Sequence, residues 1–254
     1  MRRKGSIFMQ NNIAIWRKLI LKMNNIRKMK PITTLFLLMS VDGKISTGAV
    51  DELDVDRDFP RIEGVKEGLY QYYEIEKTTD LWSLNSGRVQ EKVGVNQCPL
   101  PTKRSMVSFV LLDNNHLTLH GIEYFVQYSK NFVLVTSNSE HPAFSMNADN
   151  LHILYYENLD LHEMMEDLYQ KFGCNRITIQ TGGTLNGMFL REKLFDYVDV
   201  IVAPILVGGD DTPTLIDGES IRTSADLYKL GVLQLEKAET LMNSYIRLSY
   251  KVIK

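Results

Sequence analysis

Cysteine is scarce, with two residues in 254, Cys98 and Cys174. Two thiols cannot build a disulfide framework, and they match no metal-binding spacing. The pair suits a reducing compartment, so a cytoplasmic location is expected. Long apolar runs are missing too. No stretch approaches the roughly 18–20 residues of a membrane span. Ile13–Ile15 is too short for a secretory signal and is soon interrupted by Arg17 and Lys18. No membrane association of the main body is expected. Acids are missing from the basic start of the chain: residues 1–28 hold eight lysines and arginines and no acid. The 29 basic residues less these eight leave 21 against 31 acids, so the remainder carries a net −10. An acidic body argues against nucleic acid as a partner, and an anionic ligand would need local groups to hold it.

What is present is ordinary globular material, 44% hydrophobic and 24% charged. In the basic segment, Ile13, Trp16, Leu19 and Ile20 form one face of a possible amphipathic helix. Such a segment reads either as a transit peptide or surface anchor, or as a dispensable tail. The expected organisation is an extension over 1–28, outside the fold, and a single domain over 29–254.

From Pro31 onward, strands alternate with helices. Ile32–Met39 is an apolar run suited to a buried strand, followed by the Asp42-Gly43 turn signal. Residues 44–63 are acidic and irregular, and 64–77 could be a helix. Strands are expected at 80–84, 107–112, 131–136, 151–155, 176–179 and 199–203, and further helices at 121–129 and 185–193. The clearest helix is Asp160–Phe172: Asp160 and Glu163 form a capping box, and Gly173 closes it. Two last runs, 228–237 and 244–252, lack a helical period and read as an antiparallel pair. The fold class is α/β, a doubly wound and mostly parallel sheet with an antiparallel finish.

Four segments carry chemistry. In Ile177-Thr178-Ile179-Gln180-Thr181-Gly182-Gly183-Thr184-Leu185-Asn186-Gly187, an apolar strand ends at two glycines and a helix begins. Such a junction exposes bare backbone amides and a positive helix end to an anion such as a pyrophosphate; it also suits a tight turn that needs glycine for sterics. Ser40-Val41-Asp42-Gly43-Lys44-Ile45 puts a carboxylate at a strand's C-terminal end, where open α/β sheets bind ligands; Asp-Gly is also plain turn chemistry. Asn85-Ser86-Gly87-Arg88 offers Arg88 for a forked phosphate contact or as a solvated surface group. Ala203-Pro204-Ile205-Leu206-Val207-Gly208-Gly209-Asp210-Asp211 breaks a strand into a glycine-rich loop that suits a rim or a subunit contact. His116 and His120 would suit zinc only on a helix, and the Asp113-Asn114-Asn115 turn signal speaks against that, so no metal is expected. No serine lies in a Gly-x-Ser-x-Gly setting, which argues against a hydrolase.

Taken together, in this order and spacing, the Ser-Val-Asp-Gly-Lys-Ile, Gly-Gly-Thr-Leu-Asn-Gly and Val-Asp-x-x-x-x-x-Pro-x-Leu-x-Gly-Gly segments resemble the pyrimidine reductase family of riboflavin biosynthesis. That family is the C-terminal reductase domain of the bifunctional deaminase-reductase. The resemblance covers residues 30–254 and implies a dihydrofolate-reductase-like fold, NADPH as hydride donor, a small heterocyclic substrate of the aminopyrimidine or pterin kind, and a homodimer. It implies Gly182, Gly183, Thr184 and Leu185 as the cofactor-phosphate loop, and Ser40 and Asp42 beside nicotinamide and substrate. Arg88 resembles the arginine that grips the adenosine 2′-phosphate in dihydrofolate reductases. Asp42 is the expected catalytic group, foremost as a substrate anchor, and Asp42, Arg57 and Gln180 are expected on the substrate side. Three departures stand out. Phe36 replaces the family's usual lysine, Gln180 its usual glutamate, and the acidic run 51–58 its serine-x-tryptophan segment. The acidic run suits a neutral or amino-bearing heterocycle. A dihydrofolate-reductase-type activity, or a nucleotide-binding protein without turnover, are the alternative readings.

Overall fold

The computed structural model describes residues 29–254; the amphipathic segment expected over 1–28 lies outside the described residues. Along the chain run β1 (Ile32–Ser40), α1 (Val55–Asp58), α2 (Lys66–Glu76), β2 (Trp82–Ser86), α3 (Gly87–Lys92), β3 (Ser108–Leu112) and α4 (Leu119–Tyr128). Then come β4 (Phe132–Thr136), β5 (Leu151–Tyr155), α5 (Leu161–Phe172), β6 (Arg176–Ile179), α6 (Gly183–Arg191), β7 (Tyr197–Ala203), β8 (Val232–Thr240) and β9 (Ile246–Ile253).

Among the described residues the strands form one nine-stranded sheet in the order β5-β4-β3-β2-β6-β1-β7-β9-β8. The pairs from β5 to β7 are parallel, and β9 pairs antiparallel with both β7 and β8, the expected antiparallel finish. The chain leaves a gap between β1 and β2 and returns to fill it with β6. This reversal creates the crevice at the strand C-termini where open α/β sheets take ligands.

Sequence explains the central strand directly. Leu35 and Phe36 point to opposite faces of β1, and both are essentially inaccessible, as a strand covered on both sides requires. One face packs Leu35, Ile177, Ile179 and Val200 against Met164, Leu168 and Phe189 of α5 and α6. The other packs Phe36, Leu38, Ile201 and Ala203 against Leu69 and Tyr72 of α2 and against Tyr245. Each such side chain contributes roughly 1.5–3 kcal/mol of burial. Helix α5 has the expected ends: the Asp160 carboxylate accepts from the amides of His162 and Glu163, and Gly173 adopts φ 65°.

Three local expectations differ from the structure. The segment 44–63 is not wholly irregular, because Asp54 accepts from the Asp56 amide and starts α1, whose Val55 is buried beside Phe59. Strand β2 begins at Trp82 rather than Asp80; Asp80 instead accepts from the Arg176 guanidinium at 2.9 Å. Tyr228 belongs to a 3-10 turn over Ser224–Lys229, so β8 starts at Val232.

Candidate active site

A cleft of about 1050 Å³ opens over the C-terminal ends of β2 and β6 and the middle of β1. It lies at the upper end of the roughly 300–1,000 Å³ typical of small-molecule sites. Its walls hold seven carboxylates, Asp51, Asp54, Asp56, Glu76, Asp210, Asp211 and Asp217, against two cations, Arg88 and Lys92. Lys92 is already engaged, 3.2 Å from Asp54 and 3.1 Å from the Ser46 hydroxyl. An anion entering this cleft must therefore be held chiefly by backbone amides.

The glycine turn supplies them. Gly182 is the N-cap of α6, and no side chain caps the helix, so the amides of its first turn are left for a ligand. The glycines divide their work. A β-carbon at Gly183 would overlap the Asp217 carboxylate and the Thr214 carbonyl oxygen, and one at Gly187 would overlap the Asp217 carbonyl oxygen. These two are glycine because the 214–217 loop packs against them. At Gly182 the nearest atom to a β-carbon is Val89 Cγ2, at 3.9 Å, so no protein contact demands a glycine there. Thr184 and Leu185 complete this wall.

Asn85, Gln90, Gln180 and Glu76 line the cleft and, with Ser83, form a directed hydrogen-bond chain. Gln90 Nε2 donates to Asn85 Oδ1 (3.3 Å), and Asn85 Nδ2 donates to the Ser83 hydroxyl (2.9 Å). Ser83 donates to Gln180 Oε1 (3.1 Å), and Gln180 Nε2 donates to Glu76 Oε1 (2.5 Å) and to the Tyr72 hydroxyl oxygen (3.4 Å). Tyr72 is stacked on Phe36, with ring centroids 5.2 Å apart and planes 2° from parallel. Close by, Tyr73 donates to Asp56 Oδ1 at 2.7 Å. Burial pushes the Glu76 carboxyl up, opposed by the Gln180 bond and reinforced by the charge of Asp56. Burial also raises Asp56, opposed by the Tyr73 bond. The Tyr72 phenol is raised well above its ordinary value, first by burial and then by the charges of Glu76 and Asp56.

Of the expected site residues, Arg88, Gln180, Gly182, Gly183, Thr184 and Leu185 meet on these walls. Arg88 stands in the first turn of α3, which Ser86 caps, with its guanidinium 3.5 Å from Asp51 and largely exposed. Ser40, Asp42 and Arg57 are not wall residues. Arg57 donates to the Lys92 carbonyl oxygen at the end of α3. Ser40 donates to Asp42, and Asp42 also accepts from the amides of Val207 (3.1 Å) and Gly208 (2.6 Å). These bonds, that from Ser40 foremost, hold its carboxyl down at about 2. Asp42 thus fastens the 204–213 loop, and Lys44 adds two more ties, donating to the carbonyls of Gly209 (2.6 Å) and Thr212 (2.9 Å).

Sequence reasoning anticipated the acidic run 51–58 near the site but missed Tyr72, Tyr73 and Glu76. The signal available was Tyr72 and Glu76 at i, i+4 on one helix face. His116 and His120 take separate partners: His116 Nδ1 lies 2.9 Å from Asp113, and His120 Nε2 lies 2.7 Å from the Cys98 carbonyl oxygen. Among the described residues no group of three His, Cys, Asp or Glu side chains could hold a metal.

The RibD C-terminal domain family matches residues 78–246. The 2,5-diamino-6-ribosylamino-4(3H)-pyrimidinone 5′-phosphate reductase of Methanothermobacter thermautotrophicus is 41% identical over 83 residues, 33% of this chain and 37% of that protein. Its namesake in Archaeoglobus fulgidus is 34% identical over 74 residues, 29% of this chain and 33% of that protein. The chain therefore spans about a third of the length of the curated relatives it matches. Two solved structures share the fold. Acinetobacter baumannii RibD has a TM-score of 0.61 at 16% identity, covering 89% of this chain and 59% of the other. The riboflavin biosynthesis reductase of Saccharomyces cerevisiae has 0.57 at 11%, covering 88% and 90%. The family match covers two thirds of the chain, and the chain belongs to the RibD C-terminal domain family, with its dihydrofolate-reductase-like fold.

Proposed function

We propose that this protein is an NADPH-dependent reductase acting on an aminopyrimidine that bears a ribose phosphate. The observation that carries this reading is the uncapped start of α6 at Gly182, facing a cleft large enough for a dinucleotide and a second ring. The printed names of the relatives supply the substrate class.

A bound nicotinamide cofactor would supply the hydride, which goes to the carbon of an electron-poor C=N or C=O bond while a proton goes to its nitrogen or oxygen. The residues set position rather than attack covalently. The amides from Gly183 onward hold the pyrophosphate, Gly182 lets it approach, and Thr184 and Leu185 wall that side. Arg88 is the cation available for a 2′-phosphate, which makes NADPH the favoured cofactor. Phe36 holds the Tyr72 ring flat against the core, and Gln180 orients Glu76 toward the substrate side. Ser40 and Asp42 support the rim loop from behind.

A homodimer is the favoured assembly. Strand β8 is an open sheet edge exposing Val232, Leu233 and Leu235, beside exposed Leu227, Tyr228 and Leu230. An apolar edge of this kind invites pairing with a second copy. No helix among the described residues is long and apolar enough to cross a membrane, and the two free thiols suit the cytoplasm.

The test is spectrophotometric. Reduced-nicotinamide absorbance should fall when the protein meets NADPH and the ribosylaminopyrimidine phosphate. Calorimetry should show NADPH binding that Gly182→Val weakens. No binding of any dinucleotide would remove the reading.

A further inference from the structure

The substrate end of the cleft is built to accept hydrogen bonds. We propose that Glu76, held by Gln180, is a specificity residue that selects a 2-aminopyrimidinone ring over the corresponding uracil. This rests on the reductase reading above and names the ring it takes.

The argument counts donors and acceptors. Both Nε2 protons of Gln180 are used, on Glu76 and Tyr72, and its Oε1 is held by Ser83. The Tyr73 proton goes to Asp56, and Lys92 is paired with Asp54 and Ser46. What remains for a ligand is the second carboxylate oxygen of Glu76 and that of Asp56, neither of which meets a protein donor among the described residues. The hydrogen-bond chain from Gln90 runs in one direction and ends on Glu76, an arrangement that stabilises a carboxylate at its terminus. One donor is left over. Tyr72 is 7% exposed, lines the cleft and accepts from Gln180, while its own O–H proton finds no acceptor among the described residues. The edge that only the diamino ring carries satisfies this set: its 4-carbonyl takes the Tyr72 proton, and its 2-amino group, rather than the 5-amino group that both rings share, gives to Glu76. A uracil carries a second carbonyl where the amino group would be, and would set its oxygen against a carboxylate. A site built to hydrogen-bond a group rejects the analogue that lacks it, because buried polar atoms are then left unpaired.

The relatives make the choice a real one. Some are named for the 2,5-diaminopyrimidinone phosphate, and a solved neighbour from Thermotoga maritima is named for reduction of 5-amino-6-(5-phosphoribosylamino)uracil.

The experiment measures kcat and KM with NADPH for both compounds, using the full chain and its Glu76→Gln and Glu76→Asp variants, with melting curves to confirm folding. The wild-type protein should prefer the diamino ring by ~10- to 100-fold in kcat/KM. Glu76→Gln should collapse that ratio mainly through KM for the diamino ring, and Glu76→Asp should keep the preference in weaker form. Equal use of the two rings by the wild-type protein, or a preference for the uracil, would overturn the inference alone. So would a folded Glu76→Gln protein with the ratio unchanged. If Glu76→Gln does not fold, the wild-type and Glu76→Asp ratios decide. Turnover of neither ring would overturn the reductase reading, and this inference with it.

Discussion

Gly183 and Asp217 lie so close that the space for a β-carbon on the glycine is already occupied by the aspartate's carboxylate. Asp217 is held there by the Thr214 amide and hydroxyl, and its own amide donates to the Gly183 carbonyl oxygen at 2.9 Å. The neighbouring glycine, Gly182, has no such contact. Adjacent glycines in one turn therefore fail differently when changed. Gly183→Ala should cost about 1–3 kcal/mol in thermal or denaturant unfolding. Gly182→Ala should fold normally and bind NADPH more weakly in a calorimetric titration. Equal destabilisation by both would contradict this division.

The rim tie at Asp42 predicts a pH dependence. Its carboxyl is lowered from 3.8 to about 2, the Ser40 bond being the largest cause. A depressed carboxyl contributes stability above its unfolded value and loses it as pH falls through the folded one. Asp42→Asn should therefore be less stable than wild type near neutrality, and the gap should close on acidification from 3.8 towards 2. Hydrogen exchange at the Val207 and Gly208 amides should report the same loosening. A gap that stays constant across that range would assign the effect to something other than the charge.

Arg88 and Asp51 form an exposed pair at the α3 end of the cleft. If Arg88 serves a 2′-phosphate, Arg88→Ala should weaken NADPH binding by ~10-fold or more, as loss of a charge-assisted bond implies, with little effect on NADH. Asp51→Asn should act oppositely and mildly, at most about fivefold, because exposed pairs are weak. Comparing the two cofactors by fluorescence titration separates this from a general loss of affinity.

Away from the cleft wall, Asp113 gathers His141 Nε2 (3.0 Å), His116 Nδ1 (2.9 Å) and the Leu117 amide (2.8 Å). Burial alone would raise its carboxyl, but these bonds outweigh it and hold the group well below the usual range. Its side chain also fills the space a Gly87 β-carbon would need. Asp113→Asn should cost about 2–4 kcal/mol in unfolding. Because the Asp113 side chain packs against Gly87 in the Ser86–Arg88 turn, part of that loss should appear as weaker cofactor binding.

The legible parts of this sequence were those governed by local rules. The apolar run of β1, the Asp160 cap and Gly173 stop of α5, and the paired glycines at 182–183 each carry their physics within a few residues. The acidity around 51–58 was readable as composition, and three of those acids, Asp51, Asp54 and Asp56, line the cleft. Glu76 was hidden because a glutamate in a helix with Glu67 and Glu74 reads as one more solvated charge; only α2 packing across β1 brings it beside Gln180. Asp42 shows the converse. Its place after a strand suits a ligand contact and Ser40 is a local donor to it, but its other two donors, the Val207 and Gly208 amides, lie more than 160 residues later in the chain.

The segment after β1 and the glycine loop after β7 are joined by side-chain ties at Asp42 and Lys44 and by backbone bonds from Val41 to Ile205 and from Ile45 to Pro213. Stitched on both edges, neither can swing as a separate flap. Loosening one therefore loosens the other and reaches the end of a core strand, so cutting a single stitch should raise hydrogen exchange along both.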